Sequence, residues 1–247
     1  MTDFAPTDRV LVSPRYLAGA GTDKITNVIG PLVHLFDWRA EQNLQHVRLA
    51  HPQGTAALEF TPESPDGLWW KIENVEPHWQ IQISRQAPIE AVSAVAQSLP
   101  QLLGDQRHAE QISVTTLSLR EIAVTNRWVR APDNSAYSSP DSHCSVHHRP
   151  RPGVGWSFEH SVYDGFDTHW SATFTDAVPA PLVAQFFSHL ASSTPVERQY
   201  REIPFLSRDL SAAIITPAYS AGLGAHVHHA LAQIPQPRPP GAPPRRP

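Results

Sequence analysis

Apolar and polar residues alternate along His78–Ser84 (HWQIQIS) and again along His169–Thr175 (HWSATFT), 91 positions later. Alternation of this kind is the pattern of a strand with one buried face. A proline follows each segment, Pro88 and Pro179, and opens a helix. Val92, Val95, Ala96 and Leu99 recur three and four apart in the first, as do Val183, Phe186, Phe187 and Leu190 in the second. Upstream, HPQGTAALEF (His51–Phe60) lies over SPDSHCSVHH (Ser139–His148) at an offset of 88, and Pro62 lies over Pro150. The three-residue change falls between strands, where insertions are tolerated.

Each copy then reads as strands feeding a helix. In the first, Val47–Ala50, Thr55–Thr61, Leu68–Val75 and Trp79–Ser84 are strands parted by PQG, SPDG and EPH turns, and a helix runs from Pro88 to Leu103. In the second, Trp128–Arg130, His143–His148, Trp156–Val162 and Trp170–Thr175 are strands and Ala180–Ala191 is the helix. The predicted fold class is α+β: two tandem ββββα repeats, antiparallel sheets each with one packed helix, related by a pseudo-twofold. Residues 1–31 are a turn-rich lead-in containing SPRYLAG, expected as a short strand or cap. Residues 32–110 hold the first repeat, and 111–195 the second, with Gln111–Thr125 as a linking strand. Residues 196–234 are a C-terminal extension with one or two helices within Ile203–Ile234. Residues 235–247 (PQPRPPGAPPRRP) are an extended, disordered Pro/Arg tail.

Composition narrows the function classes. The single cysteine, Cys144, forbids an intrachain disulfide and gives no sign of an oxidising compartment. No leader-like segment opens the chain and no apolar run approaches a membrane span, so the expected location is cytoplasmic. The net charge of −4 speaks against a duplex-DNA binder driven by charge, although 14 histidines make that sum sensitive to mild acid. The 40% hydrophobic content is ample for a folded core.

SPRYLAG at Ser13–Gly19, SPD at Ser139–Asp141 with the Trp-containing strand after it, and HWSATFT followed by Pro179 and a helix together resemble the actinobacterial SPDY-repeat family, DUF317. The similarity covers roughly Ser13–Ser193. The first copy departs from it, with HPQG at the SPD position and SPDG one turn later at Ser64–Gly67. The resemblance carries a repeat fold and no activity. Tandem ββββα topology is also similar to Whirly and PUR-type folds, many of which bind single-stranded nucleic acid; that is a likeness of fold alone.

Walker, GxGxxG, GxSxG and HExxH motifs are absent, and the reading is non-enzymatic, without cofactor. His143, Cys144, His147 and His148 carry zinc-ligand chemistry. Strand alternation sends His143 and His147 to one face and Cys144 and His148 to the other, so no metal site is expected. His226 and His229 share at best one face of a solvated helix. Asp164–His169 lacks the acidic spacing of a calcium loop.

A sheet with helices on one side leaves its other face open. By phase, Trp69 with Lys71, and Trp128 with Arg130, fall on open faces, where Arg48, His143 and His147 extend the surface. Aromatics beside cations hold single-stranded bases by stacking, at roughly 1–3 kcal/mol per base. Single-stranded DNA or RNA is therefore one expected partner. The alternative is a protein-interaction or regulatory module, with partners also reaching the Pro/Arg tail, or open faces packed on each other or in a homo-oligomer.

Overall fold

The computed structural model describes residues 4–43, 46–133, 135–151, 153–163 and 168–218. Ten strands form one antiparallel sheet: β2 (Arg39–Gln42), β3 (Val47–Ala50), β4 (Ala56–Phe60), β5 (Leu68–Asn74), β6 (Trp79–Ser84), β7 (Val129–Arg130), β8 (Ala136–Ser138), β9 (Cys144–Arg151), β10 (Val154–His160) and β11 (Trp170–Phe174). Their spatial order is β2-β3-β4-β5-β6-β11-β10-β9-β8-β7, so the order reads the same from either edge. The halves meet where β6 pairs β11, with Ile83 opposite Ala172, Gln82 opposite Thr173 and Ile81 opposite Phe174. This edge-to-edge junction excludes the expected alternative in which the two open faces pack on each other within the chain.

Among the described residues four helices accompany the sheet: α1 (Thr26–Phe36), α2 (Ile89–Leu102), α3 (Leu119–Thr125) and α4 (Ala180–Ala191). α2 and α4 lie side by side, with α1 against α2 and α3 against α4. The helical stripe read from the sequence is the buried one. Val92, Val95, Leu99, Phe186, Phe187 and Leu190 are fully buried, against Leu58, Ile72, Ile81 and Phe174 of the strands. Trp79 and Trp170 are in this core, and the Trp170 indole donates to the Tyr16 carbonyl at 3.1 Å. One apolar core thus runs under both halves.

Each half has five strands rather than four. β2 (RAEQ) is short, polar and exposed throughout, and β8 has three residues, so neither shows a usable alternation. A full helix, α1, crosses the expected boundary between the lead-in and the first repeat, and its Val28, Leu32 and Phe36 repeat every four residues and are buried. The expected linking strand at Gln111–Thr125 is instead irregular chain followed by α3. Ser118 and Glu121 form a capping box there, the Ser118 Oγ accepting from the Glu121 amide while the Glu121 carboxylate accepts from the Ser118 amide. That local signal outweighs the alternation of Val114 to Leu119. Residues 203–218 hold 3-10 turns and β13 (Ile214–Pro217) rather than an α-helix. The rest of the expected helical extension, with His226 and His229, and the Pro/Arg tail lie outside the described residues.

β13 belongs to a second, small sheet, β12-β1-β13, made with β1 (Arg9–Ser13) and β12 (Val196–Gln199). It ties the chain start to the segment after α4. Its anchor is Arg198, fully buried, whose guanidinium donates to both carboxylate oxygens of Glu90 on α2 at 2.8 and 2.5 Å. It also donates to the carbonyl of Glu197 at 2.9 Å. Gly21, at φ +62, lies so close that a Cβ there would stand 2.7 Å from the guanidinium carbon. A side chain at that position is excluded twice, by backbone conformation and by space.

Candidate functional site

Cross-strand register arranges the helix-free face into continuous rows. One row runs through Glu41, Arg48, Glu59 and Lys71 in the first half, crosses the junction at Gln82 and Thr173, and continues through Ser157 and His147. A neighbouring row carries Ser84, Ser171, Glu159, Ser145 and Ser138. Alternation along each strand places these polar side chains opposite the core. One wing of the face is charged and the other is rich in hydroxyls.

Two cations of the charged wing, Arg48 and Lys71, are already engaged. Arg48 Nε lies 3.3 Å from Glu59 Oε1, and Lys71 Nζ lies 2.7 Å from Glu73 and 3.9 Å from Glu59. Arg48 and Lys71 each sit beside a carboxylate, so this row presents an alternating ladder, while Arg39 stands exposed on β2 at the edge of the same face. With their side chains about one third exposed, these pairs shape the surface potential more than they stabilise the fold.

The seven residues expected on open faces separate into three groups. Arg48, Lys71 and His147 share the row, His147 with its Nε2 3.0 Å from Ser145 Oγ. Lys71 and His147 are four strands apart, roughly 19 Å at ordinary strand spacing. His143 sits in the turn before β9, half-buried, its amide donating to Asp141. Trp69 occupies a register shift in β5, half-buried, with its ring edge-on to Phe60 at 5.9 Å.

The remaining two leave the face. Trp128 is 6% exposed and belongs to the core, its ring T-shaped against Phe187 at 4.9 Å and Tyr16 at 5.7 Å. It precedes β7 and keeps one phase with Arg130, as the alternation requires, but that phase faces the helices rather than the open face. Arg130 pairs Tyr137 in register and lies over its ring at 5.9 Å, at the sheet edge on the helix side. The stacking platform expected from Trp69 and Trp128 together is therefore not assembled.

A second feature joins the two segments that carried the resemblance. Tyr16 of SPRYLAG is buried against the SPD turn. In that turn the Ser139 hydroxyl donates to Asp141 at 2.5 Å and accepts from the Cys144 amide at 2.9 Å. Burial pushes the Tyr16 phenol far above its ordinary titration range, and the nearby Asp141 charge adds to that. Beside this corner opens a pocket of about 530 Å³ with Pro14, Tyr16, Arg127, Trp128, Asp141 and Ile214 among its walls. Sequence reading had the two motifs, but not their meeting across more than a hundred residues.

Cys144 lies below the same turn, fully buried, and burial raises its thiol well above the ordinary value, with the charge of Asp141 acting in the same direction. A thiol held protonated is neither nucleophile nor metal ligand. The native protein is expected to leave a disulfide thiol reagent unreacted and to consume one equivalent per chain once unfolded in denaturant; fast native reaction would contradict this placement. Among the described residues no group of three His, Cys, Asp or Glu side chains converges to hold a metal ion, and no helix is long and apolar enough to cross a membrane.

No curated protein and no solved structure matches the chain. From the strand before the SPD turn through α4, residues 138–196 match the family model described as SPDY, a domain of unknown function (DUF317).

Proposed function

We propose that the chain is a non-enzymatic binding protein built from two copies of one unit of five strands and a helix, related by a pseudo-twofold between β6 and β11. Its open sheet face engages a protein partner. Several correspondences support the duplication. Trp38 and Trp128 each follow a residue of positive φ, Asp37 and Arg127. The turns His51–Gly54 and Ser139–Ser142 close with matching bonds, Gly54 N–H to His51 O at 2.8 Å and Ser142 N–H to Ser139 O at 2.9 Å. Pro88 and Pro179 precede the two helices with nearly equal backbone angles.

One observation carries the choice of partner: Arg48 and Lys71 are held by Glu59 and Glu73 on the face that would have to attract phosphates. A polyanion binds when free lysines and arginines displace the counterions condensed on its phosphates, and here carboxylates already hold Arg48 and Lys71. A protein surface brings both signs of charge and backbone amides, which suit an alternating ladder continued by Gln82, Thr173 and Ser157.

Anisotropy titration of a fluorescein-labelled mixed-sequence single strand at low salt tests the choice, and no saturable binding is expected. Salt-sensitive binding that Lys71→Ala weakens would overturn it in favour of single-stranded nucleic acid. The positive arm places a photo-crosslinking side chain at Gln82 on the face and at Arg120 on α3. The expected result is one captured polypeptide from Gln82 alone, whose purified form binds the wild type and loses affinity about tenfold or more on Gln82→Arg. Equal capture from Arg120, or insensitivity to Gln82→Arg, would contradict the face as the docking surface.

A further inference from the structure

The two halves treat the same corner differently. In the first, the place beside Trp38 is covered by the chain itself. The loop after α2 brings the Arg107 guanidinium to Asp37 at 2.6 Å and to Asp105 at 2.8 Å. His108 sets its ring edge-on to Phe36 at 5.7 Å, and Gln101 donates to the Ile112 carbonyl at 2.8 Å. The loop is therefore pinned over the ends of α1 and α2.

In the second half the corresponding corner, beside Trp128, is the 530 Å³ pocket. Arg127 stands where the first half has Asp37, Pro140 and Asp141 where it has Pro52 and Gln53, and Ala191 where it has Pro100. No loop crosses it. The chain turns from α4 into β12, and Ala212 and Ile214 form a wall instead. The exposed Arg127 side chain makes no hydrogen bond or ion pair with any described residue, whereas Asp37 has Arg107. The charge at the corner is also reversed: an acid met by the chain's own cation in one half, a cation with no partner among the described residues in the other.

We infer that this pocket is a ligand site for a small organic anion, its carboxylate or equivalent group on Arg127 and its apolar body against Trp128, Pro14 and Ile214. The volume lies in the range of small-molecule sites, where apolar walls supply most of the contact and a few polar groups fix orientation. Asp141 also lines the pocket, but its Oδ1 accepts from the Ser139 hydroxyl and the His143 amide and its Oδ2 is buried, so exposed Arg127 presents the accessible charge there. This site is on the helix side of the sheet and is independent of the open face, so either reading stands if the other fails.

The test uses 1-naphthoate as the probe and 1-naphthylmethylamine as its cationic counterpart, on full-length protein with ¹⁵N-labelled backbone and indole groups. Saturable shifts at the Trp128 indole and the Arg127 and Ala212 amides are expected with naphthoate and not with the amine. Arg127→Gln should weaken naphthoate binding about tenfold or more, Arg127→Lys should restore part of it, and Arg130→Gln should leave it unchanged. Arg127 is exposed, so these variants are expected to fold, which the amide spectrum reports directly. No shift with naphthoate, equal response to the amine, or an Arg127→Gln variant that binds as wild type would each overturn the inference.

Discussion

Replacing Trp128 with alanine is expected to destabilise the fold by about 3–5 kcal/mol, the usual loss for a large aromatic removed from a packed core. The ring is enclosed by Phe187 from α4 and Tyr16 from the SPRYLAG segment, and it forms one wall of the pocket at this corner. Its loss opens a cavity that the surrounding aromatics cannot fill without leaving their edge-to-face geometry. Tyr16 is coupled to the second half through the hydrogen bond from Trp170 to its carbonyl, so slackening there reaches the lead-in as well. Urea unfolding followed by tryptophan fluorescence and circular dichroism measures the effect. A solvated Trp128 would give a change within about 0.5 kcal/mol, the ordinary outcome for surface substitutions, and that result would contradict the core placement. Trp69→Ala, at the half-buried bulge, is expected to cost less than Trp128→Ala in the same assay.

Arg198→Ala is expected to cost about 3–5 kcal/mol, because it strands the Glu90 carboxylate and removes the fully buried cation that joins β12 to α2. Arg198→Lys should restore only part of this, since a point charge cannot reproduce two parallel bonds to one carboxylate. The pair also sets a pH dependence. Burial by itself would raise the Glu90 carboxyl, but the hydrogen bond and charge of Arg198 outweigh it and hold the group below its ordinary value of 4.5. A carboxyl with a depressed folded pKa contributes stability that is present above its unfolded pKa and is lost as pH falls through the folded one. The stability gap between wild type and Glu90→Gln is therefore expected to be full near neutral pH and to close on acidification below 4.5. A gap that persists unchanged at low pH would show that the charge of Glu90 does not matter.

How much of this was legible follows from where the signals are local. The β5 and β6 strands and the two main helices stand where alternation and helical spacing put them, because one face of each is buried and the residues record it. β2 and β8 leave no such record: one is exposed on every residue, and the other is too short to show a period. α3 was misread as strand although its capping box, Ser118 with Glu121, was present in the sequence; the alternating apolar residues before it masked the local stop. The site was legible only in part. Phase along a strand sets Arg48, Lys71 and His147 on one face, where the structure has them, but alternation alone could not tell which face the in-phase pair Trp128 and Arg130 would take. Nor could one sequence reveal that Glu59 would stand between Arg48 and Lys71, because that depends on register across three strands. The pocket was hidden for a similar reason, since Tyr16, Trp128 and Asp141 meet only after the small sheet has folded back on the second half.

The account depends above all on the halves joining edge to edge with one face left open. Gln82 and Thr173 face each other at that junction, and the one native thiol, Cys144, is buried and silent. Native-state labelling of Gln82→Cys and Thr173→Cys with a thiol reagent measures the openness directly. Both variants are expected to react at rates typical of exposed cysteines while the wild type does not react, whereas labelling as slow as that of Cys144 would show the face to be covered and contradict the account.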